Sequence, residues 1–189
     1  MAKRTPAAAN DGGEVARECV DAGRFHFKPL TEDDLPIVRG WLLRPHVAEW
    51  WGPVESMDEL REAYVTHADE ARATRAYLAH DAGRPIGFIQ CYAVMGSGDG
   101  WWEDETDSGA RGIDQFLAEA DDLGKGLGRS MIRSFVAMLF RDPSVSVVQT
   151  DPDPDNVRAI RCYRAAGFLP VGVVETPDGP ALLLKQARR

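Results

Sequence analysis

Short runs in which hydrophobic and polar residues alternate predict most of the strands of this chain. The first run alternates at Phe25, His26 and Phe27. Two later runs flank the sequence Asp-Ala-Gly-Arg at residues 81–84, which is typical of the turn of a β-hairpin. The predicted strands cover residues 25–30, 76–80, 86–92, 113–117, 145–150, 168–175 and 181–185.

Four segments carry the signals of helices. Thr31 and the acids that follow it predict a helix start, after which Leu35 and Val38 begin an apolar face. Ser56 is placed to cap a second helix, and Gly167 to end the last one. The predicted helices cover residues 32–42, 57–71, 129–140 and 156–166.

The first 23 residues are rich in Ala, Gly and charge and show little apolar periodicity. We interpret them as a flexible leader, in which residues 14–22 could form a short helix. The rest of the 189-residue chain, residues 24–189, is of a length typical of one domain. A hydrophobic content of 44% is enough for a core.

The net charge of −8 disfavours nucleic acid and anionic membranes as partners and favours cationic ligands. Three cysteines, Cys19, Cys91 and Cys162, cannot form a closed set of disulfides, which predicts reduced thiols. No apolar run has membrane-spanning length, and the N-terminus lacks the apolar stretch of a secretory signal. We therefore expect a cytoplasmic protein, and the sequence leaves open whether it is a monomer or a homodimer.

An acidic segment at residues 96–115 is the most informative part of the chain. Six acidic residues surround the neighbouring Trp101 and Trp102, and Arg111 is the only base among them. A solvated acidic loop is the simpler interpretation. It does not require two adjacent indoles, so we favour a binding site for a soluble polycation. The six acids are Asp99, Glu103, Asp104, Glu105, Asp107 and Asp114.

A glycine-rich loop, Gly124-Lys125-Gly126-Leu127-Gly128, precedes the third predicted helix. Glycines there let backbone N–H groups approach an anion at the helix N-terminus, and Lys125 and Arg129 add positive charge. The loop lacks both the Gly-Lys-Ser/Thr of a triphosphate loop and the spacing of a dinucleotide fingerprint. It suits a pyrophosphate, although tight packing alone would also explain three glycines.

The order of strand, glycine loop, helix, strand and a helix bearing Asn156 and Tyr163 resembles the GCN5-related N-acetyltransferase (GNAT) superfamily. The resemblance implies an α/β (α+β) fold with a mixed, mostly antiparallel sheet of about six to seven strands, flanked by helices and splayed between the fourth and fifth strands. It implies that the loop binds the pyrophosphate of coenzyme A and that Tyr163 lies near the thioester sulfur. The chain departs from the family at Leu123, where a Gln or Arg is usual. The implied cofactor-binding residues are Gly124, Lys125, Gly126, Leu127, Gly128, Arg129, Asn156 and Tyr163.

Longer motifs, at residues 96–102, 111–115, 123–128, 149–152, 158–163 and 176–181, look like those of the aminoglycoside 6′-N-acetyltransferases. The resemblance runs from about residue 25 to residue 186 and implies antibiotic resistance as the role. Acetyl-CoA is the implied co-substrate, without a metal. The implied substrate-binding residues are Trp51, Tyr64, Asp99, Trp102, Glu103, Asp114, Asp151 and Asp178.

The reaction needs a group that removes a proton from an ammonium before it can attack a thioester. We assign Asp114 as the general base, acting directly or through water, and Tyr163 as the donor to the departing thiolate. A backbone N–H on the splayed strand would polarise the thioester carbonyl. No covalent enzyme intermediate is required, so positioning supplies much of the rate.

Several residues have simpler interpretations. Cys91 and Cys162 are expected to be small buried hydrophobes rather than nucleophiles. His46 is expected to have a structural or pocket-wall role. Asp151 and Asp153 alternate with prolines, which favours a rigid loop presenting Asp151 over a metal site.

Three alternative functions remain open at this point. His46, Trp50 and Trp51 are also similar to a motif of siderophore-pathway acyltransferases that modify hydroxylysine. A non-catalytic module that binds a cationic drug is a second alternative, and acetylation of a peptide or protein is a third. The many acids beside paired tryptophans fit a small polyamine better than the first and third alternatives, whereas Asp114, Tyr163 and the glycine-rich loop argue against the second.

Overall fold

The computed structural model describes residues 20–53, 56–66 and 74–188. The eight strands are β1 (Val20–Ala22), β2 (Phe25–Pro29), β3 (Arg75–Asp81), β4 (Arg84–Ala93), β5 (Ala110–Leu117), β6 (Val147–Thr150), β7 (Leu169–Thr176) and β8 (Gly179–Ala187). The five α-helices within these residues are α1 (Leu35–Leu42), α2 (Pro45–Trp51), α3 (Met57–Arg61), α4 (Leu127–Leu139) and α5 (Val157–Ala166). Among these residues, no helix is long and apolar enough to cross a membrane.

All eight strands form one mixed sheet in the order β1-β2-β3-β4-β5-β6-β8-β7. Every neighbouring pair is antiparallel except β5 and β6, which are parallel. The predicted fold class is therefore confirmed. The strand count exceeds the predicted six to seven because β1 was not predicted.

β1 corrects the N-terminal prediction. It pairs with β2 around a turn at Gly23, whose φ of +70° suits glycine. The predicted boundary between leader and domain therefore falls inside a hairpin, and the last three residues of the helix predicted at 14–22 form a strand. Residues 1–19 lie outside the described part of the chain.

The predicted helices differ from the observed ones mainly at their ends. The Ser56 hydroxyl accepts a hydrogen bond from the backbone N–H of Glu59 at 3.2 Å, which confirms Ser56 as a cap. The helix predicted at 57–71 changes to a π-helical turn at Glu62–Thr66, and residues 67–71 lie outside the described part. α4 begins two residues earlier than predicted, at Leu127. α2 was not predicted at all.

Hydrophobic side chains cover both faces of the sheet. On one face, α4 and α5 pack on residues such as Phe27 and Ile113. On the other face, α1, α2 and α3 pack on Phe88 and Phe116, whose rings stack at 5.3 Å. Two packed layers of helices thus hold the middle strands in place, among them β5, which carries Asp114.

The sheet splits between β5 and β6. The parallel pairing covers only Ala110–Gly112 on β5 and Val147–Gln149 on β6. β5 continues to Leu117, paired there only with β4. Because the helices hold the rest of the sheet, this separation opens a gap at which β5, β6 and α5 meet.

Candidate active site

Two adjoining cavities lie at the split in the sheet. Five residues line both of them, so the two cavities adjoin at the gap. The shared residues are Trp50, Trp51, Gln115, Asn156 and Ala159. The two parts differ in charge, and we call them the acidic cleft and the coenzyme groove.

The acidic cleft has a volume of about 190 Å³. Five carboxylate side chains line it, and no Lys or Arg is among its lining residues. The five are Glu49, Asp114, Asp151, Asp153 and Asp178. Carboxylates gathered in a concave site raise the local concentration of cations and favour ligands with several ammonium groups.

Asp114 lies on β5 two residues beyond the last parallel pair, at the mouth of the split. Its side chain is only 6% exposed, and its Oδ2 accepts a hydrogen bond of 2.9 Å from Nε2 of Gln90 on β4. It lines the acidic cleft, as predicted. A carboxylate in this place can accept a proton from a ligand amine in the cleft.

Tyr163 projects from α5 into the same cleft and is 4% exposed. Its ring meets Phe168 edge to face at 5.5 Å, and its hydroxyl shares a hydrogen bond with Thr150. Burial, and then the negative charge of Asp114, raise the pKa of Tyr163 far above its ordinary value. The phenol therefore stays protonated at neutral pH and can give up a proton but cannot serve as a base.

The coenzyme groove is larger, at about 720 Å³, and carries the opposite charge. The basic side chains that line it are Lys125, Arg129, Arg158 and Arg161. Gly124 and Gly126 have φ of +73° and +80°, and Gly126 is the N-cap of α4. This left-handed backbone turns the first N–H groups of the helix toward the groove, as an anion requires.

The remaining predicted coenzyme residues contribute in different ways. Leu127 is buried in the core, so only its backbone can face an anion. A Cβ at Gly128 would lie 3.5 Å from the Sγ of Cys162, which shows how closely α4 approaches α5 there. Asn156 lines both cavities, and its Oδ1 caps α5 by accepting from the backbone N–H of Ala159 at 3.0 Å.

Trp51 stands where the two cavities join. Its ring meets Phe116 edge to face at 4.9 Å, and its indole N–H donates to the hydroxyl of Tyr64. Tyr64 is buried behind it and lines neither cavity. Burial raises the pKa of Tyr64 far above its ordinary value, so this hydroxyl is neutral. Tyr64 supports Trp51 in this structure rather than forming the wall itself.

The acidic segment at 96–115 divides into parts with different roles. Trp101 is buried and lines the acidic cleft, whereas Trp102 packs beside Tyr92 and Val94. Asp99 and Glu103 are exposed, and like Trp102 they line neither cavity. Of the two adjacent tryptophans, Trp101 therefore lines the cleft in this structure, and the predicted Trp102 lies beside it.

Two acids of this segment hold the segment itself in place. Glu105 accepts from the backbone N–H of Asp107 at 2.9 Å and pairs with Lys185 at 3.2 Å. The first of these contacts, with smaller help from Lys185, keeps the pKa of Glu105 below its ordinary value. Asp107 accepts from the hydroxyl of Ser146 at 2.5 Å. These carboxylates tie the segment to β8 and to the start of β6, which keeps Trp101 over the cleft.

The residues given simpler interpretations are placed as predicted, except that Cys162 is only half-buried and lines the coenzyme groove. Cys91 is buried in the core, where burial raises the pKa of its thiol to about 11, and burial also raises the pKa of Cys162. Neither thiol is poised as a nucleophile. His46 lines the coenzyme groove and donates through Nε2 to the backbone carbonyl of Leu117 at 3.0 Å, which confirms the pocket-wall role.

Four contributors to the site were not predicted as site residues. Glu49 and Trp50 lie on the unpredicted helix α2, and Thr150 contacts Tyr163 from the end of β6. Gln90 was read only as part of an apolar strand. A lone amide within the run Ile86–Tyr92 was the available signal, since buried polar groups need partners.

Comparison with known proteins agrees with this geometry. The acetyltransferase (GNAT) domain family matches residues 31–176. The aminoglycoside N(6′)-acetyltransferase type 1 of Klebsiella pneumoniae is 50% identical over 163 residues, which are 85% of this chain and 81% of that protein.

Two solved structures of the aminoglycoside acetyltransferase AAC(6′)-Ib are also similar. The complex with paromomycin and acetyl-CoA has a TM-score of 0.83 at 48% identity and covers 88% of this chain and 94% of that one. The complex with coenzyme A and kanamycin has a TM-score of 0.82 at 48% identity, over 87% of this chain and 95% of that one. The chain therefore belongs to the GNAT acetyltransferases and, within them, to the aminoglycoside 6′-N-acetyltransferases.

Proposed function

We propose that this protein transfers the acetyl group of acetyl-CoA to the 6′-amine of an aminoglycoside by direct attack, and so confers resistance to the drug. One observation carries the proposal. At the split in the sheet, a cleft with five carboxylates adjoins a groove lined by four basic side chains and a glycine-rich helix N-terminus. The opposite charges of the two halves match those of a polycationic sugar and a polyanionic coenzyme.

The coenzyme half would hold the pyrophosphate on the backbone N–H groups at the start of α4. Gly124 and Gly126 leave that backbone open to the groove, and Lys125 and Arg129 supply positive charge beside it. Leu123, which also lines the groove, has no hydrogen-bond donor in its side chain. Backbone amides therefore carry more of the anion's charge here. Similar solved enzymes bind coenzyme A or acetyl-CoA.

The acceptor half would bind the aminoglycoside through its ammonium groups. Asp151 and Asp178 face the cleft from the loop after β6 and from the turn between β7 and β8, and Trp101 offers an apolar surface for a sugar ring. We propose that Asp99, Trp102 and Glu103 contact the outer part of a bound drug that extends beyond the cleft. Their acidic and aromatic character supports this role.

The chemistry follows from the two groups at the split. Asp114 takes one proton from the 6′-ammonium, and the amine nitrogen then attacks the carbonyl carbon of the thioester. The carbon–sulfur bond breaks, Tyr163 donates its proton to the thiolate, and the amide nitrogen gives up its second proton to restore the phenol through water. The products are an acetamide, coenzyme A as the thiol, and one proton released from Asp114. Backbone N–H groups on β5, unpaired by β6 beyond Gly112, are placed to polarise the carbonyl.

The test is release of coenzyme A thiol from acetyl-CoA with kanamycin, with hydroxylysine as the competing acceptor. We expect turnover with kanamycin, acetylation at the 6′ nitrogen by NMR, and resistance in a susceptible bacterium. Asp114→Asn should lower kcat by at least about a hundredfold. Asp33→Asn removes the same formal charge from an exposed residue away from the cleft, and it should leave kcat unchanged.

Each alternative has its own signature in that test. Turnover with hydroxylysine and none with kanamycin would support the siderophore-type acyltransferase. Kanamycin bound tightly, with no thiol released in a single turnover, would support sequestration without catalysis. Either result would overturn the proposed reaction.

We also propose that the enzyme works in the cytoplasm, where acetyl-CoA is available and thiols stay reduced. Cys91 and Cys162 are both free thiols, which suits that compartment. The net charge of −8 supports a small cation rather than nucleic acid as the partner. Whether the protein acts as a monomer or a homodimer can be read from its mass in solution.

A further inference from the structure

We infer that Gln90 is a positioning residue for Asp114, fixing which carboxylate oxygen faces the substrate amine. The inference rests on the proposed function for its catalytic meaning. Gln90 on β4 and Asp114 on β5 are direct register partners, so their side chains leave the same face of the sheet side by side. Nε2 of Gln90 donates to Oδ2 of Asp114 at 2.9 Å, and the two side chains are only 9% and 6% exposed.

The orientation of the Gln90 amide follows from its partner. An ionised carboxylate can only accept hydrogen bonds, so the amide must turn its NH2 group, rather than its oxygen, toward Asp114. Its Oε1 then points away and has no hydrogen-bond partner among the described residues. The amide therefore bonds to Asp114 at the cost of an unsatisfied buried oxygen, which is unusual for a residue that serves stability alone.

Apolar register pairs of β4 and β5 lie on both sides of Gln90 and Asp114 and separate these two side chains from solvent. Along the same face of β4 and β5, the register pair before them is Phe88 and Phe116, whose rings stack. On the other side the ring of Tyr92 lies across Gly112. Water is thus kept away from Oδ2, and the hydrogen bond from Gln90 is not exchanged for one to solvent. In such surroundings a charge-assisted hydrogen bond is strong and directional.

The consequence for catalysis is a choice between two oxygens. The torsion that rotates a carboxylate is soft, so an unrestrained Asp114 would present its lone pairs over a wide range of directions. Gln90 occupies Oδ2 and fixes the plane of the group. We assign Oδ1 to the 6′-ammonium. A base held in one orientation meets the amine in attack geometry more often than one that rotates.

Other titratable groups around Asp114 also affect how activity depends on pH, so the test must leave them unchanged. They come from α2, from the turn after α3, from the loop after β6, from α5 and from the β7–β8 turn. The groups are Glu49, Tyr64, Asp151, Asp153, Tyr163 and Asp178. None of them is changed when Gln90 is substituted, so a change in the pH profile reports on the amide.

The test compares Gln90→Met, Gln90→Glu and the control Cys91→Ala. Met keeps the length of Gln but donates nothing. Glu places a second carboxyl beside Asp114, and Cys91→Ala disturbs the same strand on its opposite, core-facing side. All three should be checked for folding by thermal unfolding, and kcat/KM for kanamycin should be measured across pH.

We expect Gln90→Met to lower kcat by tenfold to about a hundredfold with little change in KM. The acidic limb of kcat/KM should move to higher pH, because loss of a donor to the charged form makes the carboxylate easier to protonate. In Gln90→Glu a second carboxyl lies beside Asp114, and two neighbouring negative charges disfavour ionisation of both groups. The acidic limb should therefore move to still higher pH. Cys91→Ala should leave the limb in place. A Gln90→Met profile that superimposes on the parent and on Cys91→Ala would overturn the inference.

A second measurement does not depend on turnover. The side-chain carboxyl of Asp114 can be titrated by carbon-detected NMR in the ligand-free protein and in Gln90→Met. A higher midpoint in the variant would support the hydrogen bond even if the parent proved inactive with every aminoglycoside, in which case only the proposed function would fail. Equal midpoints would overturn the inference itself.

Discussion

The ring of Tyr92 occupies the space that a side chain at Gly112 would need. A Cβ built on Gly112 would lie 2.0 Å from Cζ of Tyr92, far inside contact distance. Gly112 is also the last residue of β5 that pairs with β6. The absence of a side chain there lets an aromatic ring cover the point at which the sheet begins to split.

Gly112→Ala should therefore destabilise the protein although it adds only one methyl group. The ring of Tyr92 must move, and overpacking of this kind costs about 1–3 kcal/mol of the free energy of unfolding. We expect the melting temperature to fall by about 2–4 °C for each kcal/mol lost. Gly40→Ala on α1 is the matched control, because a Cβ there meets no atom within 4 Å.

A double variant separates the steric clash from other effects of the same substitution. If the clash is the cause, Gly112→Ala should cost much less in a Tyr92→Ala background than alone. Strict additivity of the two losses would show that the ring is not what excludes a side chain at position 112.

Tyr163→Phe tests the proton donor. The phenyl ring keeps the packing on Phe168, so folding should be retained while kcat falls by at least about tenfold. Because burial raises the pKa of Tyr163 well above its ordinary value, the phenol stays protonated below about pH 10. Any loss of activity on the alkaline side should therefore come from other groups and remain in Tyr163→Phe. An alkaline limb that disappears in the variant would contradict this assignment.

Most strands could be predicted from the sequence, because burial in the core imposes a regular pattern of hydrophobic residues on them. The pattern located β2, β3, β4 and β8 because one or both faces of each of these strands meet the core. β7 has no buried residue and was located only by the turn that joins it to β8. α2 was missed because it is short and mixes aromatic with charged residues, so that no apolar face repeats. β1 was missed because three residues are too few to show a period.

Trp102 was the predicted substrate residue, but Trp101 is the tryptophan that lines the acidic cleft. The reason lies in the local backbone conformation, which hydrophobic periodicity does not reveal. Asp99 and Trp102 both have positive φ, at +52° and +51°, and Gly98 forms an isolated bridge with Trp101. Left-handed residues within a tight turn reverse the direction in which neighbouring side chains point. The motif indicated that an indole lies at the cleft. These backbone angles decide whether it is the indole of Trp101 or that of Trp102.

Asp178→Asn tests electrostatic capture of the drug. Asp178 is exposed in the turn between β7 and β8 and lines the acidic cleft. We expect KM for kanamycin to rise while kcat changes little, and the ratio to the parent KM to shrink between about 0.01 M and 1 M salt as screening weakens the native charge. Asp33→Asn is again the control for net charge. A KM ratio that is independent of salt would mean that Asp178 acts through contact geometry and not through its charge.

Gly126→Val tests the anion-binding turn. Gly126 caps α4 with φ of +80°, where an L-residue costs roughly 1–2 kcal/mol, and a Cβ would point toward the guanidinium of Arg129 at 3.5 Å. Gly83→Val is the matched control, because Gly83 has φ of +79° in the turn between β3 and β4 and no neighbour within 4 Å. Both variants should lose similar stability. Only Gly126→Val should weaken acetyl-CoA binding by calorimetry, because it alone blocks the backbone N–H groups that face the groove; equal coenzyme affinity in the two variants would remove the turn from the binding site.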